Sequence, residues 1–411
     1  MRKIKPLRTI PLVFCTAVLM ALAACGGGAA SSGSSSGSGP APTGTPIKIG
    51  IPGEFTGPNS SSLQGMKDVA DAWVESVNDH GGIAGHPVQV VYGDSGGQPA
   101  KGSQAVRDLI ETQGVVVLAG GHDTSAETAY APYVQSKGVP NVGGSTYGDV
   151  WTHTPMYFPL GLAGDTVDTI LVKVAAQTGT KVMGSVVCAE VAQCAETPKR
   201  IAPAMAAAGI TMTEPIPVAA SAPSHTAECL SLKQSGTQLV FLALNATVGA
   251  KLVKDCAQQG VRPTFLYVGS SYSADLTQIS GLKAIGLPNA FPWFVDDPKV
   301  QPFKQMMQTY SSVDKVKNPS NTATYAALEY VKKAIESQKP AADAPVTSKT
   351  VLDGIYSLKD EDLGGLLAEK FTFTPNDTAR HPKCTFEAQV ENGKLPSSTG
   401  LTPICGTGVA S

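Results

Sequence analysis

The order of strand-like and helix-like segments is the feature that most constrains the fold of this chain. Residues 47–51 (IKIGI) are almost entirely apolar and predict a short buried strand. Apolar residues in 63–79 recur at the spacing of a helix with one apolar face, and Gly81 and Gly82 end that helix. Strand and helix signals then alternate as far as residue 144, which predicts a parallel sheet with helices on both faces.

The same alternation restarts at residues 181–187 and continues to a strand at 264–268. The predicted fold class is therefore α/β, with two doubly wound parallel-sheet lobes. Residues 300–338 are mostly helical in pattern, whereas 369–374 (EKFTFT) and 384–390 (CTFEAQV) predict late strands. We infer that these late strands return to the two earlier sheets, which makes the domains discontinuous.

The first 45 residues have the pattern of an export signal and a spacer. Four basic residues precede an apolar run at 11–22, which is short of the ~20 residues needed to span a bilayer. The sequence LAAC at 22–25 resembles the lipobox of bacterial lipoproteins, in which the cysteine is acylated and becomes the N-terminus. An ordinary signal with an incidental cysteine is the alternative. We expect a signal peptide at 1–24, lipid on Cys25, a disordered Gly/Ser linker at 25–45 and an extracytoplasmic location at a bacterial membrane.

The composition argues against several classes of function. The formal net charge is −2 and no block of basic residues occurs, so we expect no nucleic-acid partner. No second long apolar segment follows the first, so we expect no membrane span. No Ser/His/Asp set, metal-ligand spacing or phosphate-binding loop occurs in a suitable context, so we expect no enzyme activity, no cofactor and no metal.

The cysteines indicate disulfide bonds in an exported protein. Two of the eight lie before residue 26, and an even number in an exported chain favours disulfides. Six cysteines allow 15 connectivities, and we expect nearest-neighbour pairing. A zinc site is the alternative, although no CxxC or HxxxH spacing supports it. The six are Cys188, Cys194, Cys229, Cys256, Cys384 and Cys405.

Several motifs resemble those of type I periplasmic binding proteins. They are TGP at 56–58, NDHGGIAG at 78–85, HPV at 86–88, GVP at 138–140 and TYAALEYVKKAIE at 324–336. The nearest branch is the substrate-binding lipoproteins of branched-chain amino acid ABC importers, the leucine-binding protein type. The resemblance covers essentially all of 46–411 and is clearest at 47–145.

The resemblance implies a Venus-flytrap arrangement of two lobes joined by a three-strand hinge. The N lobe would comprise 46–159 with 294–378, and the C lobe 160–293 with 379–411, so all six cysteines would fall in the C lobe. It implies a monomeric extracytoplasmic receptor that captures a small solute and delivers it to the permease subunits of an ABC transporter. A sensor domain that signals through a partner protein is the alternative.

Polar loops that follow strands are the candidate ligand contacts, since helix N-termini there present free N–H groups. Thr124 and Ser125 match the family position that holds a ligand carboxylate, and Ser125 is also expected to cap the next helix. Ser145 and Thr146 match the second contact loop. Tyr147 stands where a small hydroxyl residue is usual.

The opposite side of the cleft departs from the amino-acid-binding pattern. Asn245 occupies a position that is often aromatic, and Ser270 lies where an acidic residue usually pairs with the ligand ammonium. A buried ammonium without a carboxylate is costly. We therefore expect an organic or aromatic acid, an amide or an amino-acid-like compound, although Asp123 or Glu190 could still supply the missing charge.

Overall fold

The computed structural model describes residues 40–190, 192–272, 276, 278–377, 382–391 and 400–407. The expected signal peptide, Cys25 and most of the expected linker lie outside these residues. Within the described part, no helix is both long enough and apolar enough to cross a membrane.

The first sheet is formed by the N-terminal part of the chain and is parallel throughout. Its spatial order is β2-β1-β3-β4-β5. Strand β1 pairs with β2 from Ile47 opposite Val88 to Gly53 opposite Asp94. Buried β-branched residues dominate β1, as expected of a strand covered on both faces. The strands are β1 (Ile47–Gly53), β2 (Val88–Asp94), β3 (Val117–Ala119), β4 (Asn141–Val142) and β5 (Tyr157–Phe158).

The second sheet is parallel except for one strand contributed from late in the chain. Its order is β13-β11-β10-β9-β6-β7, β8 also pairs with β6, and β13 runs antiparallel to β11. Strands β12 and β14 form a separate two-stranded sheet. The bounds are β6 (Val182–Cys188), β7 (Thr211–Met212), β8 (Ile216–Val218), β9 (Leu239–Ala243), β10 (Thr264–Val268), β11 (Lys283–Leu287), β12 (Cys384–Phe386), β13 (Ala388–Glu391) and β14 (Pro403–Cys405).

The helices cover both sheets. In the first helix the buried residues Met66, Val69, Trp73 and Val77 lie on one face, and that face packs against the tenth helix. The bounds are α1 (Met66–Asp79), α2 (Pro99–Arg107), α3 (Glu127–Lys137), α4 (Val150–His153), α5 (Gly164–Gln177), α6 (Glu196–Ala207), α7 (Thr226–Gln234), α8 (Ala246–Gln258), α9 (Gln301–Tyr310), α10 (Pro319–Ser337) and α11 (Ser348–Ser357).

The chain passes between the two sheets three times. It leaves β5 for α5 and β6, returns from β11 to helix α10 beside β3 and β4, and finally leaves α11 for β12 and β13. Helix α10 is anchored by a capping box, in which the Asn318 side chain accepts from the backbone and Asn321 reciprocates. Three passages between two α/β halves are the arrangement of a two-lobed fold with a hinge.

Three disulfides lie in the part of the chain that builds the second sheet and its neighbours: Cys188–Cys194, Cys229–Cys256 and Cys384–Cys405. These are the nearest-neighbour pairs. The second joins α7 to α8, and the third joins the two strands of the small sheet.

One expected strand is absent from the described residues. Residues 369–374 alternate in polarity but form only an isolated antiparallel bridge between Phe371 and Glu361. Phe371 and Phe373 stack with ring centroids 5.8 Å apart and are both buried, so the segment packs by its rings rather than by joining a sheet. The prediction for 384–390 holds better, because β13 returns to the second sheet as its edge strand.

Candidate functional site

Loops at the carboxyl ends of the parallel strands form the candidate site. In the first sheet these loops begin at Glu54 after β1, Ser95 after β2, Gly120 after β3 and Gly143 after β4. Because parallel strands end at one edge of a sheet, the loops lie side by side, as in other α/β ligand sites. In the second sheet the corresponding loops follow β6, β9 and β10.

Two of these loops approach each other closely. The Ser145 N–H donates to the Gly121 carbonyl at 2.9 Å, and the Asn289 side chain donates to the Gly144 carbonyl at 3.3 Å. Gly144 has φ +86°, and a Cβ there would lie 2.0 Å from the Gly121 oxygen. Only glycine fits this position, which brings the loops after β3 and β4 together beside the passage at Asn289.

Thr124 and Ser125 lie on the exposed side of the first contact loop. The Ser125 hydroxyl donates to Glu54 Oε2 at 3.2 Å, and it does not cap α3. Ala126 occupies the N-cap position, so the capping prediction for Ser125 is wrong. The hydroxyl is used instead to hold a carboxylate from the loop after β1.

Glu54 is a buried site residue that the sequence did not reveal. Its carboxylate accepts from the Asn59 backbone at 2.9 Å and from the Asn59 side chain at 3.1 Å, in addition to Ser125. These bonds fold the loop after β1 over the sheet edge. Residues 60–63 of that loop contact both α8 and residues 269–271 of the other half. The TGP motif at 56–58 was the signal that this loop mattered.

The second contact loop places its three hydroxyl side chains differently. Ser145 is buried, and its Oγ has no hydrogen-bond partner within the described structure. Thr146 is fully buried, and its hydroxyl donates to the Leu162 carbonyl at 2.8 Å, which ties the loop to the passage after β5. The Tyr147 ring packs against the apolar core of the second sheet, and its buried hydroxyl lacks a partner among the described residues.

The loops of the second half supply capping groups and aromatic rings. The Asn245 side chain accepts from the Val248 N–H at 2.9 Å and caps α8. Ser270 lies in a 3-10 helix, Gly269–Ser271, that contacts α8, residues 60–63 and α10. Tyr272 is buried beside Phe294, with ring centroids 5.3 Å apart. The structure thus brings Asn245, Ser270 and residues 60–63 into one region.

Each of the two carboxylates considered as partners of a ligand ammonium accepts one hydrogen bond from the protein, and Asp123 Oδ2 has no partner among the described residues. Asp123 is buried, and its Oδ1 accepts from the Ser95 hydroxyl at 2.5 Å. Glu190, exposed in the loop after β6, accepts from the Ala220 N–H at 2.6 Å. Burial raises the pKa of Asp123 to about 7, and the negative charge of Glu54 adds to that effect.

A second buried carboxyl lies one helical turn further along. Glu127 accepts from the Trp151 indole at 2.9 Å, and burial raises its pKa to about 8. Its other oxygen lies against Gly148, where an added Cβ would be 2.1 Å away. Glu127 and Trp151 therefore support the segment that continues from Tyr147.

The site contains no evident metal centre. No group of three or more His, Cys, Asp or Glu side chains that could hold an ion occurs in the described part of the chain. His122 is buried, bonds to the Ser320 hydroxyl at 3.0 Å, and has a pKa lowered to about 4 by burial. It is a neutral structural imidazole.

Comparison with known proteins agrees with this architecture. The sequence profile described as periplasmic binding protein matches residues 46–394. The chain belongs to the periplasmic binding protein family. Its fold is similar to that of a leucine-binding protein of Thermotoga maritima, and Leu/Ile/Val-binding protein homologs are among its curated relatives.

Individual relatives are distant in sequence. A Leu/Ile/Val-binding protein homolog of Brucella suis is 26% identical over 246 residues, which are 58% of this chain and 61% of that protein. The chain therefore matches about three-fifths of the length of the first curated relatives. Two solved structures share the fold over most of both chains.

The first solved structure is a branched-chain amino acid ABC transporter protein of Thermus thermophilus with bound valine. It has a TM-score of 0.74 and 16% identity, and the match covers 89% of this chain and 98% of that one. The second is an ABC transporter solute-binding protein of R. palustris in complex with 4-hydroxybenzoate. It has a TM-score of 0.68 and 20% identity, and the match covers 88% of this chain and 97% of that one.

Proposed function

We propose that this protein is the extracytoplasmic solute receptor of an ABC importer, and that it is a binding protein and not an enzyme. The observation that carries the proposal is the meeting of polar loops from the two sheets, with buried hydroxyls of Ser145 and Tyr147 that lack partners among the described residues. A buried hydroxyl without a partner is costly, and a bound solute would supply that partner. Family membership supports the same role.

The solute would bind between an N lobe of 46–159 with 294–378 and a C lobe of 160–293 with 379–411. It would shift an open–closed equilibrium only as far as its affinity differs between the two states. Small-angle scattering should show a smaller radius of gyration when a binding solute is added. An unchanged radius at verified saturation would contradict lobe closure.

We propose that the solute has a carboxylate or amide acceptor and no free α-ammonium. Ser270 carries no charge, and the Glu54 carboxylate already accepts hydrogen bonds from Asn59 and Ser125. Burial raises the pKa of Asp123, so that carboxyl is also a weak partner for a buried ammonium. No lysine or arginine occurs in the loops, so hydroxyls and backbone N–H groups must hold the acceptor. Solved relatives with benzoate-type ligands share the fold.

Calorimetry against L-leucine, L-valine, benzoate and 4-hydroxybenzoate tests this specificity. Micromolar binding of leucine with no response to the acids would overturn it. Ser270→Asp should weaken binding of an acid at least tenfold, because it places a carboxylate near the acceptor. Ser231→Asp, on the exposed face of α7, adds the same charge elsewhere and should leave the affinity unchanged.

We also propose that a lipid on Cys25 anchors the protein to the cell membrane, from which it serves the permease. Two or more acyl chains are needed for stable anchoring. Cys25→Ser should release the protein or leave it unprocessed, and the wild type should incorporate labelled fatty acid. Absence of label, with unchanged membrane fractionation of the variant, would contradict the anchor. If instead deletion of this protein leaves solute uptake intact and abolishes a signalling response to the solute, the sensor alternative is favoured.

A further inference from the structure

Tyr147 connects the two halves of the molecule. It belongs to the loop after β4 of the first sheet, yet its ring packs against the apolar core of the second sheet and lies against Gly269. Gly269 directly follows β10. The tyrosine therefore reaches from one contact loop to the end of a strand that carries an opposite contact loop.

The Tyr147 ring packs against Gly269 of the second half. A Cβ at Gly269 would lie 2.5 Å from the Tyr147 hydroxyl oxygen and 2.8 Å from a ring carbon. Gly269 also has φ +55°, in the region that favours glycine. It opens the 3-10 helix that contains Ser270, so any side chain here would move the ring, the helix or both.

The hydroxyl of Tyr147 is buried and has no hydrogen-bond partner among the described residues. Burial raises the pKa of Tyr147 above its usual value, so the phenol keeps its proton at physiological pH. The group is therefore a hydrogen-bond donor that faces the region next to Gly269. The Ser145 hydroxyl, two residues earlier, is in the same condition.

We propose that Tyr147 is the specificity-determining residue of the cleft. Its ring, packed on Gly269, sets the depth of the space beside residues 269–271, and its hydroxyl donates to an acceptor on a compact solute. This inference rests on the proposed solute-binding function. It predicts that the accepted solutes are short and flat on that side, since the ring occupies the room a longer chain would need.

The packing of Tyr147 on Gly269 can be tested without any solute. Gly269→Ala adds one methyl group against the ring, and Gly260→Ala is its matched control, because Gly260 has φ +68° but nothing within 4 Å of an added Cβ. Both variants place alanine at a positive φ and so carry the same backbone strain. Only Gly269→Ala should also increase the radius of gyration of the ligand-free protein in small-angle scattering. Tyr147→Ser in the Gly269→Ala background should restore the wild-type radius. An equal radius of gyration for the two alanine variants, or no recovery of the wild-type radius in the double variant, would contradict the packing of Tyr147 on Gly269.

The donor role is tested with benzoate and 4-hydroxybenzoate in calorimetry. Tyr147→Phe keeps the ring and should weaken the tighter-binding acid roughly 2- to 10-fold, the usual effect of one neutral hydrogen bond. Tyr147→Ser should instead improve binding of a longer acid, 4-phenylbutanoate, relative to benzoate. Unchanged affinities in both variants would overturn the specificity role even if the wild type binds. A wild type that binds neither acid would contradict the proposed solute class. The Gly269→Ala experiment would still test the packing of Tyr147 on Gly269.

Discussion

Replacing Glu127 with glutamine should stabilise the protein increasingly as the pH rises. The residue is 2% exposed, its carboxyl accepts from the Trp151 indole, and burial raises its pKa to about 8 from an ordinary 4.5. Between these values the unfolded chain loses the proton while the folded chain keeps it. Stability of the wild type therefore falls as the pH rises from about 4.5 to about 8 and then levels off.

The size of this effect follows from the same two pKa values. Each pKa unit between them corresponds to about 1.4 kcal/mol, which gives at most about 5 kcal/mol at pH 9. Glutamine has the same shape as the protonated acid and keeps an acceptor for Trp151, so it removes the pH-dependent cost without a cavity. The free energy of unfolding of both proteins should agree at pH 4 and diverge by several kcal/mol at pH 9.

Urea denaturation at intervals from pH 4 to pH 9 measures this difference directly. Glu336→Gln on the exposed face of α10 is the matched control and should differ from the wild type by a small amount independent of pH. Asp123, whose pKa is also raised, remains in both proteins, and its negative charge contributes to the raised pKa of Glu127. A difference between Glu127→Gln and wild type that stays flat across the range would refute the reasoning.

Three further outcomes are expected from stability measurements. Asn245→Ala should cost about 1 kcal/mol by removing the cap of α8, whereas Asn245→Asp should retain it. Replacing the 229–256 disulfide by two alanines should destabilise by about 3–4 kcal/mol, against about 2 kcal/mol for the shorter 188–194 loop; equal losses would contradict the loop-length argument. Thr146→Val should cost roughly 1–2 kcal/mol in urea denaturation, because the buried Leu162 carbonyl loses its donor.

Sequence reasoning located the strands best where apolar runs were bounded by clear turns. The strand expected at 264–268 is β10 with the same bounds, because a continuous apolar run between polar loops suits a central parallel strand. The pattern at 369–374 misled because its alternation reflects two phenylalanines packed into a core, not pairing with a sheet. Periodicity reports which side chains are buried, and it does not report which strand lies alongside.

The sequence predicted where the contact loops lie, but it did not predict which residues their side chains bond to. The strand–loop–helix order placed Thr124, Ser125, Ser145 and Tyr147 at a sheet edge, and that is where they lie. Ser125 failed as a cap because Glu54, distant in sequence, takes its hydroxyl. Such partners are set by the way the loop after β1 folds over the edge, which no local pattern encodes.

The buried carboxyls and the cleft tyrosine belong to one piece of structure. Glu127 holds Trp151 on one side and lies against Gly148 on the other, and Gly148 directly follows Tyr147. A neutral Glu127 therefore supports the segment that aims the tyrosine at Gly269, whereas an ionised Glu127 would draw water to that segment. The residue that lowers stability at alkaline pH is thus positioned to hold the contact loop. An apolar residue there would remove the cost but also the indole bond, so the loop would lose the support that keeps Tyr147 in place.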